Sequence, residues 1–348
     1  KTSSSSVAIS INSINDAPTF DNLLSTYTVD ENQTAVTSIS ASDVEDEALT
    51  ISISGTDEAS FNLSSSNVLT FVESPDYETQ SSYSLVASVT DGIDTLNKDL
   101  TVNLNNLNDN LPVFTSSSSF SADENQTAIG VVVALDADGD SVTYTASGSD
   151  ILIDGGTGVI TFSSAPDYET KTSFTSTVTA TDGLNSSTQD ITIAVNNLND
   201  NYPELVSAAY FEVDENQTSI GTISATDADG DTLTYAISGS ESSGINIDPD
   251  SGVLTFVDAP DYETKTSYSF DGTVSDAPGR TVGFLVQIKL NNLNDNSPIF
   301  SSDETFSIAE NESSIGTASA TDADTGSSVS YSVDNSVTQK VEVSVAAN

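Results

Sequence analysis

The chain has 348 residues, of which 53 are acidic and 7 basic, giving a formal net charge of −46. A surface this negative excludes nucleic acid as a partner, and no apolar run approaches the roughly 18 residues that direct membrane insertion needs. Cys, His, Met and Trp are all absent. Disulfides, thiolate metal sites and every His-dependent catalytic scheme fall away with them, leaving carboxylate, amide and carbonyl oxygens, which suit a hard cation such as Ca²⁺.

The chain starts at Lys1 in a Ser-rich stretch with no signal peptide in view, so a processed form or a fragment is expected. Residues 7–17, "VAISINSINDA", resemble the last strand of a domain that lacks its body. From there a period governs the sequence. "DENQT" begins at Asp30, Asp123 and Asp214, and "AENES" replaces it at Ala309. The glutamates of these motifs are Glu31, Glu124, Glu215 and Glu310, spaced 93, 91 and 95 residues apart. Asp16, Asp109, Asp200 and Asp295, in "NDAP", "NDNLP", "NDNYP" and "NDNSP", keep the same three spacings. "PDYET" recurs at Pro75, Pro166 and Pro260. The expected organisation is a terminal strand (1–17), whole repeats at 18–110, 111–201 and 202–296, and a partial repeat at 297–348.

Each repeat reads as β. In chain order, "YSLVASVTDG" from Tyr83, "LTVNLN" from Leu100, "VTYTASG" from Val142, "ITIAVN" from Ile191 and "LVQIKLN" from Leu285 alternate apolar with polar residues, the period of a half-buried strand. Gly, Asp, Asn and Ser clusters punctuate them every 8–12 residues or so, and no amphipathic helix of three turns is present. About seven short strands per repeat predict antiparallel, immunoglobulin-like Greek-key sandwiches. Phe114, Tyr144, Phe162, Tyr168, Ile191 and Ile193 are candidate core residues. The connections, such as "NNLNDNLPVF", carry no Gly/Ser spacer, so neighbouring sandwiches are expected end to end in a rod. Acids packed this densely at the connections are costly without a multivalent cation between them.

These motifs in register resemble cadherin repeats, in the version found as cadherin-like domains of bacterial surface proteins, over essentially the whole chain. The marks are a Glu near the first strand, a D-x-E past mid-domain, a D-x-N-D-N-type linker and a D-x-D in the following repeat, with a further Asp before the last hairpin. The resemblance implies three Ca²⁺ ions at each junction. Carried over residue by residue, the first junction would use Glu31, Asp76, Glu78, Asn106, Asn108, Asp109 and Asn110, met by Asp136, Asp138 and Asp182. The second would use Glu124, Asp167, Glu169, Asn197, Asn199, Asp200 and Asn201, met by Asp227, Asp229 and Asp276. The third would use Glu215, Asp261, Glu263, Asn292, Asn294, Asp295 and Asn296, met by Asp322 and Asp324. The first set contains seven carboxylates, which three Ca²⁺ nearly neutralise.

This sequence departs from the pattern in places. Asn106, Asn197 and Asn292 stand where the linker usually opens with Asp, removing one charge per junction. Asp43 and Glu45, in "SDVEDE", replace D-x-D, and Ala17 replaces the second linker Asn, so the junction upstream of residue 18 is irregular. The 297–348 block ends before the aspartate that would complete the third junction.

Bland readings compete with each motif. "DADGD" alone is a solvated turn, and it is no EF-hand, because Gly139 falls at the fourth position and Ser147 stands at the twelfth. Asp167 and Glu169 form a pair fit for sugar hydrolysis, yet the pair recurs at Asp76/Glu78 and Asp261/Glu263, which suits a junction ligand and not a catalytic dyad. Asn32, Asn62, Asn125, Asn185, Asn216 and Asn311 match the glycosylation triplet, which arises by chance in a chain this rich in Asn, Ser and Thr. The reading is therefore a non-enzymatic, calcium-stiffened rod or stalk, extracellular or at the cell surface, serving adhesion through an unknown surface or glycan ligand. One alternative is a fibre subunit joined head to tail to other copies. The strand bearing Val7, Ile9 and Ile11 would complete a partner's 297–348 block, bringing Asp16 beside Glu310. Another is an accessory or carbohydrate-binding module of a secreted enzyme. Adhesion through a swapped Trp, as in vertebrate cadherins, is excluded because there is no Trp.

Overall fold

The computed structural model describes residues 1–10, 14–45, 48–303, 305–334 and 342–347. It divides into two units, Lys1–Asn196 and Asn197–Asn348. Both are built of β-strands. The only helical elements among the described residues are the single turns Glu58–Ser60 and Ser242–Gly244.

The first unit holds two sandwiches of the same plan. In the second of them, the four-stranded sheet orders Ser119–Asp123, Ser186–Asn196, Ser173–Thr181 and Thr143–Ala146. The outer pair Ser119–Asp123 and Ser186–Asn196 is parallel, with Phe120 opposite Ile193, and the others are antiparallel. Facing it is a three-stranded sheet of Ala128–Val131, Val159–Phe162 and Ile151–Ile153. A short ladder pairs Val113–Phe114 with Ala134–Leu135. The preceding sandwich repeats the plan with Thr26–Asp30, Thr95–Asn105, Ser82–Thr90 and Thr50–Ser54 facing Ala35–Ser38, Val68–Phe71 and Phe61–Leu63.

Alternation decides the core. Along Ser186–Asn196, Ile191, Ile193 and Val195 point inward and are buried, while Asp190, Thr192 and Ala194 face solvent. They meet Val178 and Ala180 from the adjoining strand and Ile160 and Phe162 from the facing sheet. Tyr144 is also buried and donates its hydroxyl to the Ala134 carbonyl, and Phe114 and Tyr168 pack against this cluster from its margin. Ile191→Ala is expected to cost about 2–5 kcal/mol, the range for truncating a fully buried aliphatic chain. The loss should be confined to this sandwich, read as one displaced transition in calorimetry. A uniform shift of every transition would contradict separate cores.

The second unit contains one sandwich of the same plan. Tyr210–Asp214, Thr281–Asn291, Ser267–Ser275 and Thr234–Ser238 form the four-stranded sheet, and Ser219–Thr222, Val253–Phe256 and Ile245–Ile247 the other. Beyond it, Ile299–Phe300 pairs with Ala320–Thr321, and Val329–Asp334 pairs antiparallel with Glu342–Ala347. At the start of the chain, residues 1–10 and 14–18 form no strand, Val7 and Ile9 are exposed, and Ile11 lies outside the described residues.

Two local devices position the acidic residues. The Asn after each motif glutamate takes a left-handed φ: 65° at Asn32, 62° at Asn125, 65° at Asn216 and 71° at Asn311. Asn tolerates this region better than most residues. In the three whole repeats the turn leaves the preceding glutamate, Glu31, Glu124 or Glu215, buried just past the end of the first strand, whereas Glu310 is exposed. In each "PDYET" turn the aspartate closes its own loop, as where Asp167 accepts from the Glu169 backbone N–H (3.0 Å) and the Thr170 hydroxyl (3.0 Å).

Candidate metal centre

Glu31 is buried although it is charged. Its Oε2 accepts from the Tyr77 backbone N–H at 2.7 Å and its Oε1 from the Leu107 N–H at 2.7 Å. One carboxylate thus ties the "PDYET" turn to the linker. Carboxylate oxygens of Glu31, Glu78 and Asp109 lie within 4.8 Å of one another. Asp138 is held to the same linker. Its Oδ2 accepts from the backbone N–H groups of Asp109 (3.0 Å) and Asn110 (2.8 Å), and its Oδ1 from the Asn110 amide (2.7 Å). That amide also donates to Asp109 (3.0 Å) and Glu78 (3.3 Å), so a neutral side chain bridges three acids. The Asn106 amide donates to the Asp138 carbonyl at 2.8 Å. Asn108 accepts from the Asn185 amide at 2.8 Å. Asp136, Asp138 and Asp140 form a second group within 4.8 Å. Asp76 is turned into its own loop, accepting from Glu78 N–H and the Thr79 hydroxyl.

The second unit builds the same arrangement. Glu215, buried, accepts from Tyr262 N–H (2.6 Å) and Leu293 N–H (2.8 Å) and groups with Glu263 and Asp295. The Asn296 amide bridges Asp324 (2.9 Å), Asp295 (3.0 Å) and Glu263 (3.1 Å). Asp324 is buried and also accepts from Asn296 N–H at 2.9 Å, while Asn292 donates to the Thr325 carbonyl. Asp322 accepts from Asp324 N–H at 2.9 Å, Asp261 accepts from Glu263 N–H and Thr264, and Asn294 sits in the linker between them. The linker that opens this unit meets its own acids in the same way. Asp229 accepts from Asp200 N–H, Asn201 N–H and the Asn201 amide at 2.9–3.1 Å. Asn197 donates to the Asp229 carbonyl, Asn199 donates to Asp231, and Asp227, Asp229 and Asp231 form a group. In the first unit, Glu124 is buried, accepts from Tyr168 N–H at 2.7 Å, and lies near the turn that carries Asp167 and Glu169.

The electrostatics separate two kinds of acid. Desolvation raises the Glu78 carboxyl above its ordinary range, and the charges of Glu31 and Asp138 push the same way. Glu263 is raised by desolvation and by Glu215. For Asp138, desolvation also raises, but the Asn110 side chain and the Asn110 and Asp109 backbone donors outweigh it and lower the group. The Asn296 donors do the same for Asp324. Asp182 and Asp276 are lowered against desolvation by the N–H groups of their own turns and by Asn108 and Asn199 respectively.

Whether these residues fit a cation is tested by what the protein leaves unpaired. Buried polar atoms are nearly always hydrogen-bonded. Here one carboxylate oxygen each of Asp136, Asp182, Asp227, Asp276 and Asp322 is buried with no hydrogen-bond partner. Each of these five acids uses its other oxygen to accept backbone N–H groups. The orphan oxygens recur at the same place in successive repeats, and amide oxygens of Asn199 and Asn292 join them. A fixed, desolvated oxygen of negative charge, repeated in register, has the chemistry that a hard cation prefers. Together with the three-acid groups, the donor set fits Ca²⁺.

Sequence reasoning missed Asp140 and Asp231, the third aspartates of "DADGD". Their recurrence in that motif was the available signal. It also passed over Asp91. At the start of the first unit the Asn15 amide donates to Asp91 (3.0 Å) and Asp94 (2.8 Å), Glu45 accepts from Asp16 N–H, and one oxygen each of Asn15 and Asp43 is buried without a partner. The irregular upstream motif therefore still assembles the receiving half of the arrangement.

Sandwiches joined by acidic linkers, each with an inward glutamate and an aspartate turn, define the chain as tandem cadherin-like repeats. A family profile described as a bacterial Ig domain matches residues 108–194 and 199–289, about half of the chain, and the chain belongs to that family. Among curated relatives, the mouse (Mus musculus) cadherin EGF LAG seven-pass G-type receptor 2 is 30% identical over 93% of this chain and 12% of its own length. The Drosophila melanogaster protocadherin-like wing polarity protein stan is 30% identical over 94% of this chain and 10% of its own. The chain thus spans about a tenth of either relative. The protocadherin gamma-B4 extracellular domain superposes with a TM-score of 0.71 at 25% identity, over 93% of this chain and 59% of that one. Mouse cadherin-23 EC22–24 shares the fold, with a TM-score of 0.60 at 22% identity, over 80% of this chain and all of that one.

Proposed function

We propose that this chain is a calcium-stiffened structural segment of an extracellular or cell-surface adhesion protein, without catalytic activity of its own. The observation that carries the reading is the set of buried, unpartnered carboxylate oxygens of Asp136, Asp182, Asp227, Asp276 and Asp322. Around the first linker, Glu31, Asp76, Glu78, Asp109, Asp136, Asp138 and Asp182 would hold calcium, with Asn106, Asn108 and Asn110 supplying carbonyl or amide oxygen. In the first unit Glu124, Asp167 and Glu169 are further candidate ligands. In the second unit Asn197, Asn199, Asp200, Asn201, Asp227, Asp229 and Asp276 form one candidate set, and Glu215, Asp261, Glu263, Asn292, Asn294, Asp295, Asn296, Asp322 and Asp324 another. Bound there, the ion supplies positive charge where the protein has concentrated negative charge. Glu31 links loop to linker, Asn110 holds three acids at close range, and Asp138 and Asp182 present ionised oxygens. The repeats 18–110, 111–201 and 202–296 would then act as stiffly joined spacers. Names among the relatives, which are cadherins and protocadherins, support an adhesive setting.

The test is small-angle scattering and circular dichroism with calcium and with a chelator. Chelation is expected to increase flexibility while the β signal persists, because the candidate ligands lie at the ends of the sandwiches and the cores are apolar. Identical scattering curves in the two conditions would sink the reading. Complete unfolding on chelation would instead place the metal in folding.

A further inference from the structure

The three whole repeats are alike inside but not outside. The three-stranded sheet of the second repeat, together with its flanking ladder, presents Val113, Val131, Val133, Leu135, Leu152 and Val159 outward, each 40–64% exposed. Register and alternation make these one face. Val131 lies opposite Val159 and Val113 opposite Leu135, while Val132 and Ala134, between the exposed residues, are buried. The first repeat carries Thr19, Ser38, Ser40, Ser42 and Asn62 at the first five of these positions, and the third carries Glu204, Thr222, Ser224, Thr226 and Asn246. Only the valine at the sixth position is common to all three, as Val68, Val159 and Val253. The same fold is thus built twice with a polar outer face, so the apolar one is not required for folding.

We propose that this face is where a second copy of the chain docks, the two faces meeting across a two-fold axis. A two-fold contact places one patch against itself and so requires self-complementarity, which an uncharged and largely apolar face has, Thr161 being its polar member. None of the five strands that form it contains a charged residue. In a chain of net charge −46, such a face is where two copies approach without placing acid against acid. It offers no charge for an oppositely charged partner to read. At the observed exposures the six side chains leave roughly 500 Å² open, so two faces bury about 1,000 Å², near the lower bound for a specific interface. The dimer is therefore weak and concentration-dependent. Repulsion between the remaining acids weakens it further, so added monovalent salt strengthens it by screening.

The experiment is sedimentation equilibrium of the full chain over a range of protein and NaCl concentrations. The comparison is with a variant carrying the first repeat's residues: Val113→Thr, Val131→Ser, Val133→Ser, Leu135→Ser and Leu152→Asn. The native chain is expected to dimerise, more tightly as salt rises, and the variant at least tenfold more weakly. Because the chain lacks cysteine, Val133→Cys adds a single thiol on this face. It is expected to form a disulfide-linked dimer far faster than Thr192→Cys, which lies on the outer face of the opposite sheet. That arm keeps the test decisive if the fivefold variant folds poorly. A native chain that stays monomeric throughout, association that weakens as salt rises, or equal cross-linking of the two cysteine variants would overturn the proposal.

Discussion

Replacing Glu31 by alanine is expected to cost the first repeat little in a chelator and about 3 kcal/mol in saturating calcium. Two effects oppose each other without metal. The substitution leaves the part-buried N–H groups of Tyr77 and Leu107 without their acceptor, and a bond to a charged group is worth about 1.5–3 kcal/mol. It also removes one of three carboxylates whose oxygens lie within 4.8 Å, where like charges repel by about 3–4 kcal/mol per pair at an effective dielectric near 20. The charge of Glu31 is one reason Glu78 is raised, so the relief is real, and the two terms nearly cancel. With calcium the repulsion is already answered, and the substitution removes a ligand instead. A site filled at about 100 times its dissociation constant stabilises by about 2.7 kcal/mol, and that increment is lost. The measurement is the melting of the first repeat with and without calcium. Glu215→Ala should do the same in the second unit. A calcium increment unchanged by Glu31→Ala would remove this residue from the site.

Gly158→Ala is expected to destabilise the second repeat by about 2–5 kcal/mol. Gly158 has φ of +71°, and a Cβ built on it would stand 2.1 Å from the Val132 carbonyl oxygen. That strand cannot retreat freely, because the Val132 N–H donates to the Gly158 carbonyl at 2.9 Å and the Gly158 N–H to Asp154 at 2.9 Å. Left-handed strain contributes roughly 1–2 kcal/mol, and forcing backbone apart in a packed site adds about 1–3 kcal/mol. Gly139 is the control: its φ is +85°, but nothing lies within 4 Å of its Cβ position, so Gly139→Ala carries the strain alone. Equal losses of melting temperature for the two variants would show that the clash is absorbed.

The fold was legible because its signals are local and repeated. Alternation in "ITIAVN" identifies Ile191, Ile193 and Val195 as inward-facing without any knowledge of the partner sheet. The candidate ligands were legible for a different reason, since a motif alone is only an acidic turn whereas the same motif at a steady spacing is a design. What resisted reading depends on neighbours distant in sequence. Asp76 and Asp261 carry the expected residue type, but that their carboxylates also brace their own loops shows only in the folded turn. The Asn110 amide between three acids depends on where three separate segments meet. "GVVVAL" reads as a buried run, and only the pairing of Val131 with Val159 beside the buried Val132 separates its two faces.

In each whole repeat the first strand of the large sheet runs parallel to the last: Thr26–Asp30 beside Thr95–Asn105, Ser119–Asp123 beside Ser186–Asn196, and Tyr210–Asp214 beside Thr281–Asn291. Tension along the chain therefore drags these two strands in opposite directions along their common axis. The inter-strand bonds of a parallel pair are evenly spaced, so all five residue pairs of each ladder resist sliding together, where a hairpin peeled from its open end would yield one pair at a time. Rupture under force is governed by the unfolding rate, and shear across a whole ladder raises that barrier. A protein that must hold a grip under flow or traction gains from this arrangement, because its resistance to pulling is set by strand direction and not by the small cores alone.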